Sequence, residues 1–304
     1  MSFSVLFSKM AVLFCFLAVG VLCSRAGFLD GHACGKLNKL VINICAPAMV
    51  FNSVLSSEYT YAAGDLLALF GYAVIFNGVM ILCALALSAL LFRGHPDRGT
   101  YAYMLAFGNC VFMAFTVMAS LFGDGAVFLG AVCSLPFNML SFSVGIMMIG
   151  GRKGFRWKKL VNPPFLSILA AMVLFLFPVD APDSVLEIVS GLGGMVVPLS
   201  MILIGASLSS APLKEIFGEK RLWLLCLGKL VIAPLAVFFI CRELIADSLF
   251  LNVIVISAVM PTATVSPILA AEYGGNPGLA ARGVFVTTIC SLFTIPLLLS
   301  VLLV

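Results

Sequence analysis

The sequence predicts an all-α polytopic membrane protein, in which ten transmembrane helices form two inverted five-helix repeats. Three observations lead to this fold class. The chain is 62% hydrophobic and 10% charged, so it has too few charges to solvate a globule of 304 residues. Its apolar runs are each close to the roughly 20 residues that cross a hydrocarbon core. Prolines and polar residues interrupt several of these runs near mid-depth, at corresponding positions in the two halves.

Ten spans follow one another with short charged or glycine- and proline-containing loops between them. They cover about residues 3–23, 38–56, 66–92, 100–122, 126–149, 161–178, 184–208, 222–241, 249–272 and 279–303. The first could be a signal peptide, because Lys9 precedes an apolar run that ends at Cys23 and Ser24. We interpret it as a retained span, since the five-plus-five arrangement requires it.

The basic residues predict the orientation of these spans. The loops after spans 1, 3, 5, 7 and 9 hold 14 of the 17 Lys and Arg residues. The positive-inside rule then places these loops in the cytoplasm and both termini outside the cell inner (plasma) membrane. Because topology accounts for the basic loops, we expect the lipid bilayer as a partner and no nucleic acid.

Span 9 contains the clearest interruption. Its segment Ser257–Pro267 carries two prolines and four hydroxyls. Pro261 and Pro267 each remove a backbone N–H and clash with the preceding turn, so the helix should break near Pro261 and restart at Pro267, with Ser266 as N-cap. A broken backbone at mid-membrane must face protein or a cavity, and half-helix ends there are typical of transporter ligand sites.

Corresponding interruptions indicate an internal repeat. Pro47 interrupts span 2 as Pro198 interrupts span 7, and Asn109 in span 4 corresponds to Pro261 in span 9, 152 residues later. Because five is odd, the second set of helices is inserted upside down. The predicted organisation is a first five-helix repeat at 1–150, a cytoplasmic basic loop at 151–160 and a second, inverted repeat at 161–304, with broken helices 4 and 9 crossing at mid-membrane.

Several short segments, in their order and spacing, resemble those of the auxin efflux carrier family, the bacterial relatives of the plant PIN-FORMED carriers. They are Leu37–Leu40 leading to Pro47–Asn52, Asn138–Gly145, Asn162–Pro164, Pro198–Leu208, Met260–Ala263 followed by Ala270–Gly274, and Ser291–Leu297. The resemblance covers essentially the whole chain.

This resemblance implies a fold similar to bile-acid symporters and sodium/proton antiporters, with elevator-type motion and organic anions such as auxin, malonate or malate as substrates. A homodimer is the usual assembly of such elevators. One departure is in span 4, where the family usually reads Asn-x-Gly-x-x-Gly-x-Pro. Here the segment from Asn109 to Thr116 lacks both glycines and the proline, so we expect a milder break than in span 9.

Eight polar side chains near the interruptions are candidates for substrate binding. They are Asn52, Asn109, Asn138, Ser141, Lys229, Thr262, Thr264 and Ser266. The hydroxyls of Thr262, Thr264 and Ser266 open the second half of span 9, where free backbone N–H groups would also suit a carboxylate. Asn109 and Asn138 could fix its orientation. For Asn109, Asn138 and Ser141 the alternative is a hydrogen bond that only holds helices together, and for the hydroxyls of span 9 it is a hydrogen bond to their own helix.

Lys229 is an intramembrane cation, about eight residues into span 8, and such a charge is costly. It could counter a carboxylate, stand in for a coupling cation or snorkel towards the cytoplasm. No Asp or Glu falls near mid-depth in any predicted span. This disfavours proton or sodium coupling through a carboxylate and favours uncoupled or potential-driven movement of an anion.

These observations predict a secondary transporter, a permease or efflux carrier, for a small organic carboxylate. The alternative is a membrane sensor that binds an organic anion without moving it. The sequence has no H-E-x-x-H motif and no pair of buried Asp, so we expect no enzymatic activity, and we expect neither a cofactor nor a metal.

Overall fold

The structure is a computed structural model that describes residues 3–55, 63–150, 163–177, 179, 181–209 and 219–303. Over these ranges every regular element is helical, which confirms the all-α class. Six helices in them are long and apolar enough to cross a membrane: Gly31–Leu55, Leu67–Leu91, Asp124–Gly150, Asp183–Ala206, Lys220–Cys241 and Pro277–Leu302. The predicted basic loop at 151–160 and the helix start at Asn162 lie outside the described residues. The ten-helix inverted repeat stays a prediction.

The chain divides into two compact units. Unit 1 is drawn from Met1–Phe70, Val111–Leu135 and Val161–Ala211, and unit 2 from Gly71–Cys110, Pro136–Leu160 and Pro212–Val304. These units group helices by contact and each takes helices from both halves of the sequence. The repeat boundaries, which divide the chain by order, stay a prediction.

Unit 1 contains seven helices among its described residues. They are α1 (Phe3–Arg25), α2 (Gly31–Leu40), α3 (Ala46–Leu55), α6 (Phe115–Phe122), α9 (Pro163–Leu176), α10 (Asp183–Gly194) and α11 (Val196–Ser209). Helices α1 and α11 pack backbone to backbone. A Cβ on Gly20 would lie 2.0 Å from the carbonyl oxygen of Ile202, and one on Gly205 would lie 2.0 Å from that of Leu17. Small residues allow this close approach between membrane helices.

Pro47 and Pro198, the two prolines of unit 1 that are predicted to interrupt spans, lie close to short irregularities in the helical path. A π-helical turn, Val41–Cys45, joins α2 to α3 just before Pro47. Pro198 is the third residue of α11, and the helical path is interrupted at Met195, between α10 and α11. Both placements follow from the missing N–H of proline, which is tolerated in a first turn or after a widened one.

Unit 2 contains the remaining helices. They are α5 (Arg98–Ala106), α8 (Ile146–Gly150), α12 (Lys220–Leu227), α13 (Ala233–Cys241), α14 (Ser248–Val259), α15 (Ser266–Tyr273), α16 (Pro277–Leu302) and most of α4 (Ala63–Leu91). Helix α7 (Asp124–Leu140) begins in unit 1 and ends in unit 2. Two further π-helical turns occur here, Ser141–Gly145 before α8 and Gly228–Ile232 between α12 and α13.

Polar side chains join three loops at one end of unit 2. The Asn276 amide donates to the carboxylate of Asp97 at 3.1 Å. The hydroxyl of Tyr101 donates to Glu219 at 3.2 Å, and Arg282 pairs with the same carboxylate at 3.5 Å. Asp97, Glu219 and Asn276 follow predicted spans 3, 7 and 9, and Tyr101 and Arg282 lie near the starts of spans 4 and 10, all of which the basic-residue pattern assigns to one side. Which side of the membrane they face stays a prediction.

Candidate functional site

Two interrupted helices meet inside unit 2. Helix α5 ends at Ala106 and α14 ends at Val259, and extended residues follow each end. Gly108 and Thr262 form an antiparallel bridge. In it, the Asn109 N–H donates to the Pro261 carbonyl at 2.8 Å and the Ala263 N–H donates to the Phe107 carbonyl at 3.1 Å. We call residues 107–110 and 260–265 the crossover.

The two breaks differ in length. Three residues, 107–109, are non-helical in span 4, and a π-helical turn Cys110–Ala114 follows them. Six residues, 260–265, are non-helical in span 9. The shorter break agrees with the glycines and proline missing from span 4, because only residues that resist helix formation lengthen a break.

Gly108 brings the two backbones close together. A Cβ at this position would lie 3.3 Å from both the Cβ and the carbonyl oxygen of Met260, and 3.4 Å from the Nζ of Lys229. The two 3.3 Å separations are tighter than ordinary van der Waals contact, and the 3.4 Å separation is at its limit. A side chain at Gly108 would therefore push on Met260 and would touch the buried ammonium.

The carbonyl end of α5 accepts hydrogen bonds from two side chains elsewhere in unit 2. The hydroxyl of Thr262 donates to the Met104 carbonyl at 3.2 Å, and Nζ of Lys229 donates to the Leu105 carbonyl at 3.1 Å. Both side chains are fully buried. The last carbonyls of a helix have no partner within it and carry partial negative charge, so a hydroxyl and an ammonium are suitable caps.

Thr262 is held from a second direction. Its backbone N–H donates to the hydroxyl oxygen of Thr287 in α16 at 3.2 Å, and that hydroxyl donates to the Gly283 carbonyl at 2.8 Å. The sequence reasoning did not select Thr287. The adjacent polar pair Thr287 and Thr288 in an apolar span was the available signal.

The start of α15 differs in detail from the sequence-based expectation. The helix begins at Ser266, one residue before Pro267, so Val265 occupies the N-cap position and supplies no side-chain hydrogen bond. The hydroxyl of Ser266 is buried and donates to the Ala263 carbonyl at 2.5 Å. Ser266 therefore bonds the preceding turn and does not cap the helix.

Two polar side chains of the crossover remain available as hydrogen-bonding groups. The side chain of Thr264 is exposed, next to the uncapped start of α15. Asn109 is 4% exposed, and its hydrogen bond is made by the backbone. Among the described residues, neither the Asn109 amide nor the Thr264 hydroxyl has a hydrogen-bond partner.

Asn138 and Ser141 belong to the same unit as the crossover, and both are buried. The hydroxyls of Ser141 and Tyr103 are 2.8 Å apart, so Ser141 ties the end of α7 to α5. A Cβ on Gly145 would lie 2.7 Å from the Tyr103 ring, which is why this turn needs a glycine. Asn138 also takes part in an interaction within the fold. The sequence offered no signal for Tyr103.

Asn52 is placed in unit 1, whereas the crossover belongs to unit 2. Its side-chain amide donates to a carboxylate oxygen of Asp124 at 3.5 Å. Asp124 opens α7 just after Gly123, whose φ of +76° favours glycine. The structure thus gives Asn52 a role in joining α3 to the start of α7.

A model of the family described as "Membrane transport protein" matches residues 5–156 and 147–299, which together span nearly the whole chain. The chain belongs to this family, the auxin efflux carriers. As an auxin efflux carrier family member with several long apolar helices, it is a multi-pass membrane transport protein.

Relatives of this auxin efflux carrier family member align over most of their length. An uncharacterized transporter of Methanothermobacter thermautotrophicus is 26% identical over 286 residues, which cover 92% of each chain. An uncharacterized transporter of Methanocaldococcus jannaschii is 25% identical over 291 residues, covering 92% of this chain and 93% of the relative. A Rhizobium meliloti protein named "Putative malonate transporter" is 24% identical over 293 residues, covering 91% and 89%.

Proposed function

We propose that this protein is a secondary transporter that moves a small organic carboxylate across the cell membrane. The observation that carries the proposal is a division of roles at the crossover. Thr262 and Lys229 bind the carbonyl end of α5, whereas the Asn109 amide and the Thr264 hydroxyl have no partner among the described residues. The groups left available are donors beside an uncapped helix start, and such groups suit an anion.

The charges in this region favour a carboxylate over a cation. Lys229 is the one buried charged side chain in the described part of the chain, and it lies at the crossover. The start of α15 adds the partial positive charge of a helix N-terminus. An anion placed near Asn109 and Thr264 would meet positive potential in a medium of low dielectric constant, where such attraction is strong.

Malonate is the first substrate to test. The Rhizobium meliloti relative carries malonate in its name and aligns over 91% of this chain. A dicarboxylate of this size offers two planar carboxylates, which an amide and a hydroxyl can bind at separate points. The proposal concerns the class of small organic carboxylates, of which malate and auxin are further members.

We further propose an elevator-type, alternating-access mechanism in which unit 2 is the carrier. The crossover residues 107–110 and 260–265 belong to this unit together with Lys229 and Asn138, whereas the second half of span 4, α6, is in unit 1. A substrate bound to the crossover side chains would therefore travel with Asn109, Thr264 and Lys229. The cytoplasmic side of the basic loops and the outside location of both termini remain part of this proposal.

Counterflow in liposomes tests the proposed function. Purified protein is reconstituted into vesicles loaded with unlabelled malonate, and entry of labelled malonate is followed with mono- and dicarboxylates as competitors. We expect transient, saturable accumulation that a subset of the carboxylates inhibits. Saturable malonate binding without flux would indicate a sensor, and the absence of both binding and flux across the carboxylate panel would contradict the proposal.

A further inference from the structure

We propose that the ammonium group of Lys229 is a fixed cation that takes the place of a coupling ion at the carbonyl end of α5. Replacing it with a neutral side chain would open a site for a small monovalent cation, such as Na⁺ or methylammonium. The consequence for flux rests on the function proposed above, whereas the cation site itself does not.

The position of Lys229 is unusual for a lysine. It lies in the π-helical turn Gly228–Ile232, and π-helical turns inside α-helices are frequent at functional sites. Its side chain is fully buried, so it does not snorkel to the membrane surface. From this turn the lysine side chain extends to the crossover, where its Nζ lies 3.4 Å from the position that a Cβ on Gly108 would take.

The oxygen that contacts this charge is a backbone carbonyl at a helix end, a group that binds cations in transporters. The ends of broken helices and the unwound residues after them present backbone carbonyls, which can coordinate Na⁺. At the end of α5, the Leu105 carbonyl accepts from Nζ of Lys229 at 3.1 Å, and the neighbouring Met104 carbonyl accepts from the Thr262 hydroxyl. The ammonium thus occupies a position at which a small cation would contact the Leu105 carbonyl oxygen and a helix dipole of the right sign.

No carboxylate balances this charge within the described part of the chain. The titratable side chain that acts electrostatically on Lys229 is the thiol of Cys110. An ion pair with an acid therefore does not explain why the lysine is buried. The negative end of the α5 dipole is the compensating charge, and a free cation at that end would be compensated in the same way.

A covalently attached cation cannot dissociate during a transport cycle. If Lys229 supplies the charge that the crossover needs, the wild-type protein requires no Na⁺ to assemble its binding site. The same reasoning predicts that a protein without this ammonium either lacks the positive charge or takes it from solution. This behaviour separates a fixed cation from a lysine that binds the substrate directly.

The test compares wild-type protein with the Lys229→Ala, Lys229→Gln and Lys229→Arg variants in choline, sodium and methylammonium chloride. The first measurement is the midpoint of thermal unfolding in detergent, which requires no transport activity. We expect equal midpoints in the three salts for wild type and Lys229→Arg. The two neutral variants should unfold at lower temperature in choline and recover saturably with Na⁺ or methylammonium. Lys229→Gln keeps a hydrogen-bond donor and loses the charge. Recovery of its unfolding midpoint by an added cation would therefore show the effect of the charge alone.

The second measurement is malonate uptake into liposomes. For the neutral variants we expect uptake about tenfold or more lower in choline than in the activating salt, and no such difference for wild type. Neutral variants whose stability and uptake ignore all three cations would overturn the proposal, as would neutral variants that fail to fold in every salt while Lys229→Arg folds. A wild-type protein without flux would contradict the proposed function, and the unfolding measurement would still decide the role of Lys229.

Discussion

At the scale of single residues, Thr262 and Thr264 have the same side chain but lie in different environments. Thr262 is fully buried and its hydroxyl donates to the Met104 carbonyl. Thr264 is exposed, and its hydroxyl has no partner among the described residues. The sequence suggested the same role for both. The structure favours Thr264 as the residue that meets a ligand and Thr262 as the residue that holds the crossover closed.

Thr264→Val tests the ligand role. Valine keeps the shape and removes the hydroxyl, so we expect a KM for malonate that is about ten- to a hundredfold higher, the value of one lost hydrogen bond to a charged group, with thermal stability unchanged. Thr264→Ser restores the hydroxyl and should restore the KM. Ser300→Ala, which removes an exposed hydroxyl from α16 that bonds its own helix, is the matched control. An unchanged KM for Thr264→Val would remove this residue from the site.

Thr262→Val tests the structural role. The substitution leaves the buried Met104 carbonyl without its donor, which should cost about 1–3 kcal/mol of folding free energy. We expect a lower midpoint of thermal unfolding in detergent, by several degrees, and a loss of uptake through misassembly of the crossover. A variant with wild-type stability and a raised KM would instead assign Thr262 to ligand binding.

At the scale of elements, backbone geometry explains the broken helices better than side-chain polarity does. Pro261 stops α14, and the freed carbonyl of Pro261 accepts the Asn109 N–H of the other break. Each interruption thus supplies the hydrogen-bonding partner that the other one lacks, as a membrane interior requires. The bridge depends on Gly108, because a larger residue would separate the two backbones.

Gly108→Ala tests this dependence. Its Cβ would press on Met260 and touch Nζ of Lys229, so we expect a lower unfolding midpoint and a reduced kcat for malonate uptake. Gly78→Ala is the matched control, because a Cβ at Gly78, inside α4, meets nothing within 4 Å. Alanine there should be neutral or stabilise the helix by about 0.5–1 kcal/mol. Equal stability and uptake for the two variants would show that the crossover has room at Gly108.

At the scale of the whole molecule, the distribution of charge limits how transport can be driven. Lys229 is the one charged side chain that is buried in the described ranges, and the sequence has no acid near mid-depth of a predicted span. No carboxylate is therefore found at mid-depth of a predicted span that could bind a coupling proton or Na⁺. If the protein moves a carboxylate as proposed, we expect the movement of the anion itself to be the step that responds to the membrane potential.

Potential-driven uptake can be measured directly. In liposomes with valinomycin, an inward K⁺ gradient makes the interior positive, and we expect faster malonate entry than at zero potential. The reason is that a dianion bound near one fixed positive charge, that of Lys229, still moves net negative charge across the membrane. A Na⁺ or proton gradient at zero potential should have no effect on the rate. Acceleration by either gradient at zero potential would contradict potential-driven movement and indicate a coupling ion.

The sequence by itself determined the membrane class, the break at Pro261 and its correspondence to the break at Asn109, because apolar length and proline chemistry are local properties of the chain. The family membership was also evident from short segments in order. The sequence also predicted the shorter break in span 4. It could not separate the roles of Thr262, Thr264 and Ser266, since an apolar span shows little periodicity from which a buried face could be read.

Only the tertiary structure decided which groups meet. Lys229 reaches the Leu105 carbonyl across 124 positions of sequence, and Thr262 reaches that of Met104 across 158. The tertiary structure also brings the hydroxyls of Ser141 and Tyr103 together and places the Asn52 amide within hydrogen-bonding distance of the Asp124 carboxylate. Such contacts depend on the rotation and depth of each packed helix. The packing of whole helices sets these quantities, and no local pattern in the chain encodes them.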